Sequence, residues 1–384
     1  MLQNKKYFCY EIYKNLAITS INGKISYNPC SYFDGFIKTS DRLDISDVWN
    51  SPEHQELKQL IQDDKSIPQC HRCYHEEEHG LKSRRLGAKE KYEQYRHDYN
   101  IELSSPQSID YSVGNLCNLK CVICGPDNST AWISDYQQMY PRRDIVRFKH
   151  EKFNQIKLDN PAVLSEIKNI HFHGGGDPLL STNHIDLLEQ IKSVKGLADL
   201  RIFYNTNGTV KVSDKILSIW SECQLVELYF SIDDIGERFE YQRTGATWDE
   251  LTSNLSWYID NMPVNHLFYI NCTWSYLNLY YLNEFVDWQQ SMFNTNRLGD
   301  SVKLIFQKAT GECSVNHVSA ELKSKLIEKF KSYPTLLELV NSLQESNDNH
   351  NTFLAYINNL DKIRGTSFNR LCPEVAEFYS RYLR

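Results

Sequence analysis

Three cysteines, Cys117, Cys121 and Cys124, share the spacing Cys-x3-Cys-x2-Cys directly after an apolar stretch of the chain. Three thiolates on one short loop can bind three irons of a [4Fe–4S] cluster and leave the fourth iron open. Iron–sulfur clusters are usually closed by four cysteines, and structural zinc sites also take four protein ligands. The spacing therefore predicts a cluster that binds a further ligand, with three small buried apolar side chains as the alternative interpretation.

A second set of cysteines lies in the N-terminal region: Cys9, Cys30, Cys70 and Cys73. Their number suits one fully ligated centre, either [4Fe–4S] or zinc, and a reduced metal-free role is the alternative. The remaining cysteines have no ligand spacing and are expected to be buried and inert: Cys223, Cys272, Cys313 and Cys372.

Polar groups also follow three of the apolar stretches at their C-terminal ends. They are Gly174, Gly175, Gly176 and Asp177, then Asn205 and Asn207, then Ser231 and Asp233, with Arg243 shortly beyond. Parallel α/β folds bind ligands at the carboxyl ends of their strands, so these groups predict a site for ammonium, hydroxyl and carboxylate groups. The alternatives are ordinary turn chemistry, in which these residue types are common, and a solvated surface position for Arg243.

Six stretches of the chain predict strands, at 107–113, 167–173, 199–204, 225–232, 266–273 and 302–306. Amphipathic helices are predicted between them, at 127–139, 183–194, 213–222, 247–261 and 278–292. Alternating strands and helices favour an α/β fold with a parallel sheet, either open or curled into part of a barrel. Six such repeats are fewer than the eight of a full (β/α) barrel.

The pattern changes twice along the chain, which predicts three regions. Residues 1–104 are loop-rich and hold the N-terminal cysteines, residues 105–310 carry the alternation of strands and helices, and residues 311–384 are predicted to be helical. The turn-forming run Ser104-Ser105-Pro106 marks the first boundary.

Composition limits the class of protein. The 384 residues carry a formal net charge of −7, which gives no bulk attraction to nucleic acid. No apolar run is long enough to span a membrane, and the first residues lack the apolar segment of a secretory signal. We therefore expect a cytoplasmic protein with no membrane partner, in which the eleven cysteines are metal ligands or free thiols rather than disulfides.

The cysteine loop is followed by Gly-Gly-Gly-Asp-Pro at 174–178, Asn-Thr-Asn-Gly at 205–208 and Ser-Ile-Asp at 231–233. This series of motifs resembles the radical S-adenosylmethionine (radical SAM) superfamily over residues 107–310. The resemblance implies a partial (β/α)6 TIM-like barrel in which Cys117, Cys121 and Cys124 bind a catalytic [4Fe–4S] cluster. The open iron would bind S-adenosyl-L-methionine, and one-electron reduction would yield a 5′-deoxyadenosyl radical that abstracts a substrate hydrogen.

The superfamily resemblance also implies a role for each strand-end group. Gly174–Asp177 would bind the ammonium group of S-adenosyl-L-methionine, Asn205, Asn207, Ser231 and Asp233 its ribose, and Arg243 its carboxylate. The family more often has glutamate where this chain has Asp177, so the same role is expected with a shorter reach. No catalytic acid or base is assigned by these motifs.

The N-terminal cysteines resemble an auxiliary module of the twitch or SPASM type. The motif residues are Phe8-Cys9, Cys30 and Cys70-His-Arg-Cys73-Tyr, followed by Glu77, Gly80, Ser83 and Arg85. The resemblance implies a second, auxiliary [4Fe–4S] cluster, which would take up an electron from the substrate or organise its domain. In most relatives this module follows the barrel, whereas here it precedes it.

The auxiliary module favours a radical enzyme that modifies a peptide, because such modules are typical of peptide maturases. A small molecule such as a sugar, nucleotide or amino acid is the alternative substrate, and a non-catalytic iron–sulfur or zinc scaffold is the third hypothesis. The implied partners are an electron donor such as flavodoxin or ferredoxin and, for a peptide substrate, a leader-binding protein. The acidic composition gives no reason to expect a nucleic-acid substrate.

Overall fold

The computed structural model describes residues 2–21, 24–40, 45–78, 80, 82–94, 100–112, 114–148, 160–262, 265–294, 302–345 and 351–380. Its strands are β1 (Asn15–Ile21), β2 (Lys24–Asn28), β3 (Lys38–Ser40), β4 (Ser108–Ser112), β5 (Asn169–Phe172), β6 (Arg201–Thr206), β7 (Leu225–Ser231), β8 (His266–Trp274), β9 (Lys303–Lys308), β10 (His317–Val318) and β11 (Gln344–Glu345). Its α-helices are α1 (Tyr10–Lys14), α2 (Ile45–Trp49), α3 (Pro52–Gln62), α4 (His71–Glu78), α5 (Arg84–Gln94), α6 (Ile133–Met139), α7 (Pro161–Glu166), α8 (Asn183–Lys195), α9 (Asp214–Ser221), α10 (Gly236–Gln242), α11 (Trp248–Asn261), α12 (Leu282–Asn294), α13 (Ala320–Lys329), α14 (Pro334–Asn341), α15 (Asn351–Arg364), α16 (Phe368–Leu371) and α17 (Pro373–Ser380).

Residues 1–114, 150–204 and 213–226 form one compact unit. Its strands have the order β3-β2-β1-β4-β5-β6, and β6 contributes its residues up to Tyr204. Strands β1, β4, β5 and β6 run parallel, whereas β2 and β3 add antiparallel at one end. The register places Ala17, Asp110, His171 and Phe203 in one row. Their side chains therefore project from the same face.

The other face of these strands forms an apolar core. In β4, Ile109 and Tyr111 are buried on that face, and Asp110 between them points to the opposite side. The ring of Phe172 packs edge to face against Tyr111 at 5.8 Å and stacks on Tyr204 at 4.7 Å. Burial of these rings stabilises the parallel strands, and the face that bears Asp110 is left for polar side chains.

Residues 115–149, 205–212 and 227–384 form the second unit. Its strand order is β7-β8-β9, and β8 and β9 run parallel with Asn271 opposite Ile305. Helix α11 begins at a threonine cap, because the Thr247 side chain accepts a hydrogen bond from the Glu250 N–H at 3.3 Å. Helices α13 to α17 follow, with a short parallel pair formed by β10 and β11.

The predicted α/β fold with a parallel sheet is confirmed, and its alternation of strands and helices is that of a partial TIM-like barrel core. All six predicted strands are present, as β4 to β9. The N-terminal region also supplies β1, β2 and β3, which the sequence analysis did not predict. The three predicted regions stay predictions, since the two compact units are divided at other points. Within the ranges given above, no helix combines the length and apolarity needed to cross a bilayer.

Candidate active site

The three motif cysteines lie on one loop of the second unit, in the chain segment before α6. Cys121 is buried, and the other two are half-buried. Two backbone hydrogen bonds hold the loop: the Lys120 N–H donates to the Thr244 carbonyl at 2.9 Å, and the Val122 N–H donates to the Gln242 carbonyl at 2.8 Å. The loop therefore has a defined conformation through its own main chain.

Two polar side chains of this unit reach the motif sulfurs. The Asn207 Nδ2 lies 3.8 Å from the Cys117 Sγ, and the Arg243 Nη1 lies 3.7 Å from the Cys121 Sγ. The Asn207 amide also donates to the Asn118 Oδ1 at 2.9 Å. Donors on ligating sulfurs tune the potential of an iron–sulfur cluster. The structure thus places two residues that were predicted to bind cofactor next to the sulfurs themselves.

Arg243 is held by a buried ion pair with Asp233. Its Nε lies 2.7 Å from Asp233 Oδ2, and its Nη2 lies 3.0 Å from Asp233 Oδ1. The Thr273 N–H donates to the same Oδ1 at 2.8 Å. Both side chains are buried. This bidentate pairing orients the third guanidinium nitrogen towards the Cys121 sulfur.

Burial also sets the protonation of the motif thiols. Burial raises the pKa of the Cys121 thiol, and the Arg243 guanidinium opposes that rise. Burial raises the pKa of Cys124 to about 12. Both thiols are therefore protonated at neutral pH when no metal is bound, and a metal would have to displace these protons on binding.

The remaining predicted residues of this unit lie near strand ends. Asn205 in β6 is exposed, and Ser231 ends β7 half-buried. Their part in cofactor binding stays a prediction.

The glycine run of the first unit follows β5 and requires glycine for steric reasons. Gly174, Gly175 and Gly176 all have positive φ, at +66°, +56° and +98°. A Cβ on Gly175 would lie 2.2 Å from the Gly114 carbonyl oxygen, closer than any real contact. The buried Asp177 side chain accepts a hydrogen bond from the Leu179 N–H at 3.0 Å and so caps the following turn. The glycines thus let the chain turn directly against the end of β4.

The four N-terminal cysteines line one cavity of the first unit, together with Glu11, Arg84 and Arg85. Its empty space, including the part open to solvent, is about 390 Å³. Cys9 immediately precedes α1, Cys30 follows β2, and Cys70 and Cys73 lie at the start of α4. Burial raises the pKa of Cys30 and of Cys70 to about 12. Three separate chain segments thus bring the four thiols together.

The cavity is braced by the motif residues that follow it in sequence. The Arg85 guanidinium pairs with the Glu77 carboxylate and donates to the Phe8 carbonyl at 3.0 Å. The Ser83 hydroxyl donates to the Glu77 Oε1 at 2.5 Å, and Gly80 has a positive φ of +72°. These residues therefore connect the segment before α1 with the segment after α4.

Among the described residues, no three or more His, Cys, Asp and Glu side chains converge closely enough to hold a single metal ion. A zinc ion needs each sulfur about 2.3 Å from one point. The N-terminal thiols instead surround an open space. Their donor chemistry and this space suit a group of several atoms, such as an iron–sulfur cluster, better than one zinc ion.

A charged cluster lies on the polar face of the first unit, and we call it the Asp110 cluster. Asp110 accepts a hydrogen bond from the Arg84 Nη2 at 2.7 Å and lies 3.2 Å from the His171 Nδ1 and 3.7 Å from the His173 Nε2. The Lys91 Nζ lies 3.0 Å from the His171 Nε2. Although burial raises the pKa of Asp110, Arg84 and the two histidines hold it well below its ordinary value. Burial and Lys91 lower the pKa of His171 to about 3, so this ring is neutral.

Arg84 joins the Asp110 cluster to the four-cysteine cavity. Its Nε lies 3.4 Å from the Glu11 Oε1, and both residues line the cavity. One guanidinium is therefore shared between the cavity and β4. The sequence analysis missed this cluster. The feature that could have revealed it is Asp110, an acidic residue between two large apolar residues in a predicted strand.

The four cysteines without ligand spacing are buried, as predicted. The thiols of Cys223, Cys272 and Cys372 face the backbone carbonyl oxygens of Ile219, Asp233 and Leu277 at 3.5, 3.6 and 3.4 Å. They pack inside their own elements.

Residues 111–273 match the family model described as Radical SAM superfamily. The matched segment contains the cysteine loop and all the strand-end residues named above. The chain therefore contains a radical SAM domain. This is an enzyme domain, and its family implies a [4Fe–4S] cluster and S-adenosylmethionine as cofactors; the match leaves the reaction class open.

Two curated relatives are similar to part of the chain. GTP 3′,8-cyclase of Limosilactobacillus fermentum is 28% identical over 122 residues, which are 31% of this chain and 30% of that protein. GTP 3′,8-cyclase of Vibrio vulnificus strain YJ016 is 26% identical over 134 residues, which are 35% of this chain and 36% of that protein. The chain thus spans about a third of the length of the curated relatives it matches.

Solved structures align with the chain at low scores. Native anSMEcpe with bound AdoMet and Cp18Cys peptide gives a TM-score of 0.38 at 15% identity, over 62% of each chain. Streptococcus suis SuiB bound to S-adenosylmethionine gives 0.37 at 13% identity, over 92% of this chain and 77% of that chain. At such scores these alignments add nothing to the assignment, which rests on the domain match.

Proposed function

We propose that this protein is a radical SAM enzyme that cleaves S-adenosyl-L-methionine and abstracts a hydrogen atom from a peptide substrate. One observation carries the proposal. Within the matched domain, the three motif thiols share one loop, and the side chains of Asn207 and Arg243 reach two of the sulfurs at 3.8 and 3.7 Å. A loop of inert thiols gives no reason for a buried guanidinium beside one sulfur.

The residues present fit the implied cofactors. Three thiolates on one loop would bind three irons, and when bound the cluster and S-adenosyl-L-methionine would supply a 5′-deoxyadenosyl radical for hydrogen abstraction. The chain's own contribution is orientation and charge. Arg243 and Asn207 donate towards the ligating sulfurs, and the Trp132 Nε1 donates to the Cys121 carbonyl at 2.8 Å. By the family resemblance, Ser231, Asn205 and Asp233 are expected at the ribose, and Gly174–Asp177 at the ammonium group.

The N-terminal cavity supports a second cluster. Four thiols surround a space of about 390 Å³ that is braced by the Arg85–Glu77 pair. Four cysteines would fill all protein positions of a [4Fe–4S] cluster, so this centre would transfer electrons or organise the unit rather than bind substrate. The electron for cleavage would come from a donor such as flavodoxin or ferredoxin.

The substrate class follows from the N-terminal module, because its motif resembles those of peptide maturases. A leader-binding partner protein is the matching expectation. A nucleotide is the second candidate, since both curated relatives reported above are GTP 3′,8-cyclases.

The first experiment combines an iron count with a cleavage assay on the full chain, reconstituted without oxygen. The wild type is expected to bind about eight iron atoms for two [4Fe–4S] clusters and to form 5′-deoxyadenosine under strong reductant. Cys121→Ala should abolish cleavage, and Cys73→Ala should lower the iron count while cleavage persists. Cys223→Ala is the matched control, because Cys223 is a buried thiol without ligand spacing. A wild type that binds zinc, or makes no 5′-deoxyadenosine, refutes the proposal.

The substrate class is tested with GTP as the probe. A rise in 5′-deoxyadenosine on addition of GTP, but not of ATP, would favour the nucleotide and contradict the peptide proposal.

A further inference from the structure

Helix α15 contacts the cysteine loop, although it lies beyond the segment that matches the radical SAM family. The Tyr356 hydroxyl donates to the Val122 carbonyl at 2.6 Å. The Val122 N–H is itself bound to the Gln242 carbonyl. Val122 lies between Cys121 and Cys124, so α15 grips the part of the loop that spaces two motif sulfurs.

A second contact comes from the end of the same helix. The Arg364 Nε lies 2.7 Å from the Asp135 Oδ2, and both side chains are almost fully buried. The Lys120 Nζ lies 3.0 Å from the other oxygen of Asp135. The Arg364 guanidinium also lies 4.6 Å from the centre of the Trp132 ring, and Trp132 donates to the Cys121 carbonyl. Arg364 therefore supports the loop through two partners.

Sequence spacing explains why one helix makes both contacts. Tyr356 and Arg364 are eight residues apart, with Leu360 midway, so the three side chains recur on one face of α15. Leu360 is buried on that face. The face thus meets the loop at Val122 directly and at Lys120 and Cys121 through intermediates.

We propose that α15 is a positioning element of the cysteine loop. Tyr356 and Arg364 hold residues 120–122 in the conformation that accepts a [4Fe–4S] cluster. The proposal rests on the proposed function, because the ligand of the loop is the cluster proposed there. It extends the cofactor site to a helix outside the matched domain.

The test uses full-length Tyr356→Phe, Arg364→Gln and Arg364→Lys, reconstituted without oxygen. Two readouts report on the loop: the rate at which a chelator removes iron, and the change in the electron paramagnetic resonance spectrum of the reduced protein on adding S-adenosyl-L-methionine. The second readout is specific to the cluster with an open iron. The unfolding temperature of the metal-free protein measures any purely structural effect.

Two matched controls remove similar groups elsewhere in the same region. Tyr333→Phe removes a hydroxyl that donates to the exposed Asp287 at 2.8 Å. Arg370→Gln removes an exposed guanidinium that pairs with Glu237 at 3.2 Å. Neither group contacts the loop in the contacts described above.

Tyr356→Phe is expected to lose iron about fivefold faster than Tyr333→Phe, the factor that one ordinary hydrogen bond contributes. Arg364→Gln should lose most of the spectral response, because it leaves Asp135 buried without its guanidinium. Arg364→Lys should restore part of it, since lysine keeps the charge but not the planar group over Trp132. Arg364→Gln is open to misfolding, so Tyr356→Phe and Arg364→Lys decide the test.

Wild-type behaviour of both deciding variants, beside a wild type with a normal cluster, refutes this inference alone. A wild type without a cysteine-dependent cluster refutes the proposed function and this inference with it.

Discussion

Replacing Asp233 by asparagine leaves the Arg243 guanidinium buried without its counter-charge. The pair is bidentate, with N–O distances of 2.7 and 3.0 Å, and the two side chains are 10% and 1% exposed. Removing one partner of such a pair typically costs about 3–5 kcal/mol. Asparagine can still accept the hydrogen bond from the Thr273 N–H, so we expect the lower end, a loss of about 3 kcal/mol in the free energy of unfolding.

The assay is urea unfolding of the metal-free protein at pH 7, which keeps cluster binding out of the measurement. The matched control is Glu222→Gln, which breaks the exposed Lys192–Glu222 pair and should cost less than about 1 kcal/mol. A double-mutant cycle with Arg243→Met tests the coupling, because removing both charges leaves neither unpaired. The double variant should lose less stability than the sum of the two single variants. A loss below about 1 kcal/mol for Asp233→Asn, or strict additivity in the cycle, refutes the reasoning.

Three further predictions concern the first unit. Burial lowers the pKa of His184 from 6.5 to about 4, so stability should be fully present above pH 6.5 and fall as the pH drops to 4; a flat profile in this window, or no flattening by His184→Gln, contradicts this. Gly175→Ala, whose Cβ would meet the Gly114 carbonyl at 2.2 Å, should lower the unfolding temperature and abolish formation of 5′-deoxyadenosine, and an active, stable variant argues against the close turn. Glu77→Gln, which weakens the pair with Arg85, should reduce bound iron by about half without stopping cleavage; an unchanged iron count contradicts the bracing role.

Local sequence determined the strands, the helices and the identity of the cysteine loop. Strands β4 to β9 were predictable because each is a short apolar run followed by amphipathic periodicity, and burial acts on such runs wherever they lie. The cysteine spacing was equally local, since three donors within one loop need no distant partner. Strands β1 to β3 were missed because no helical crossover marks them, and two of them are antiparallel additions.

The tertiary structure alone decided which side chains meet. The row of Asp110 and His171 depends on strand register, which a sequence without a known partner strand does not specify. Arg243 was predicted to bind a cofactor carboxylate, but only the fold shows that it pairs with Asp233 and reaches a sulfur. The grip of α15 on the loop joins Tyr356 to Val122 across 234 positions of sequence. Contacts over such separations follow from packing of whole elements, and no local pattern of residues encodes them.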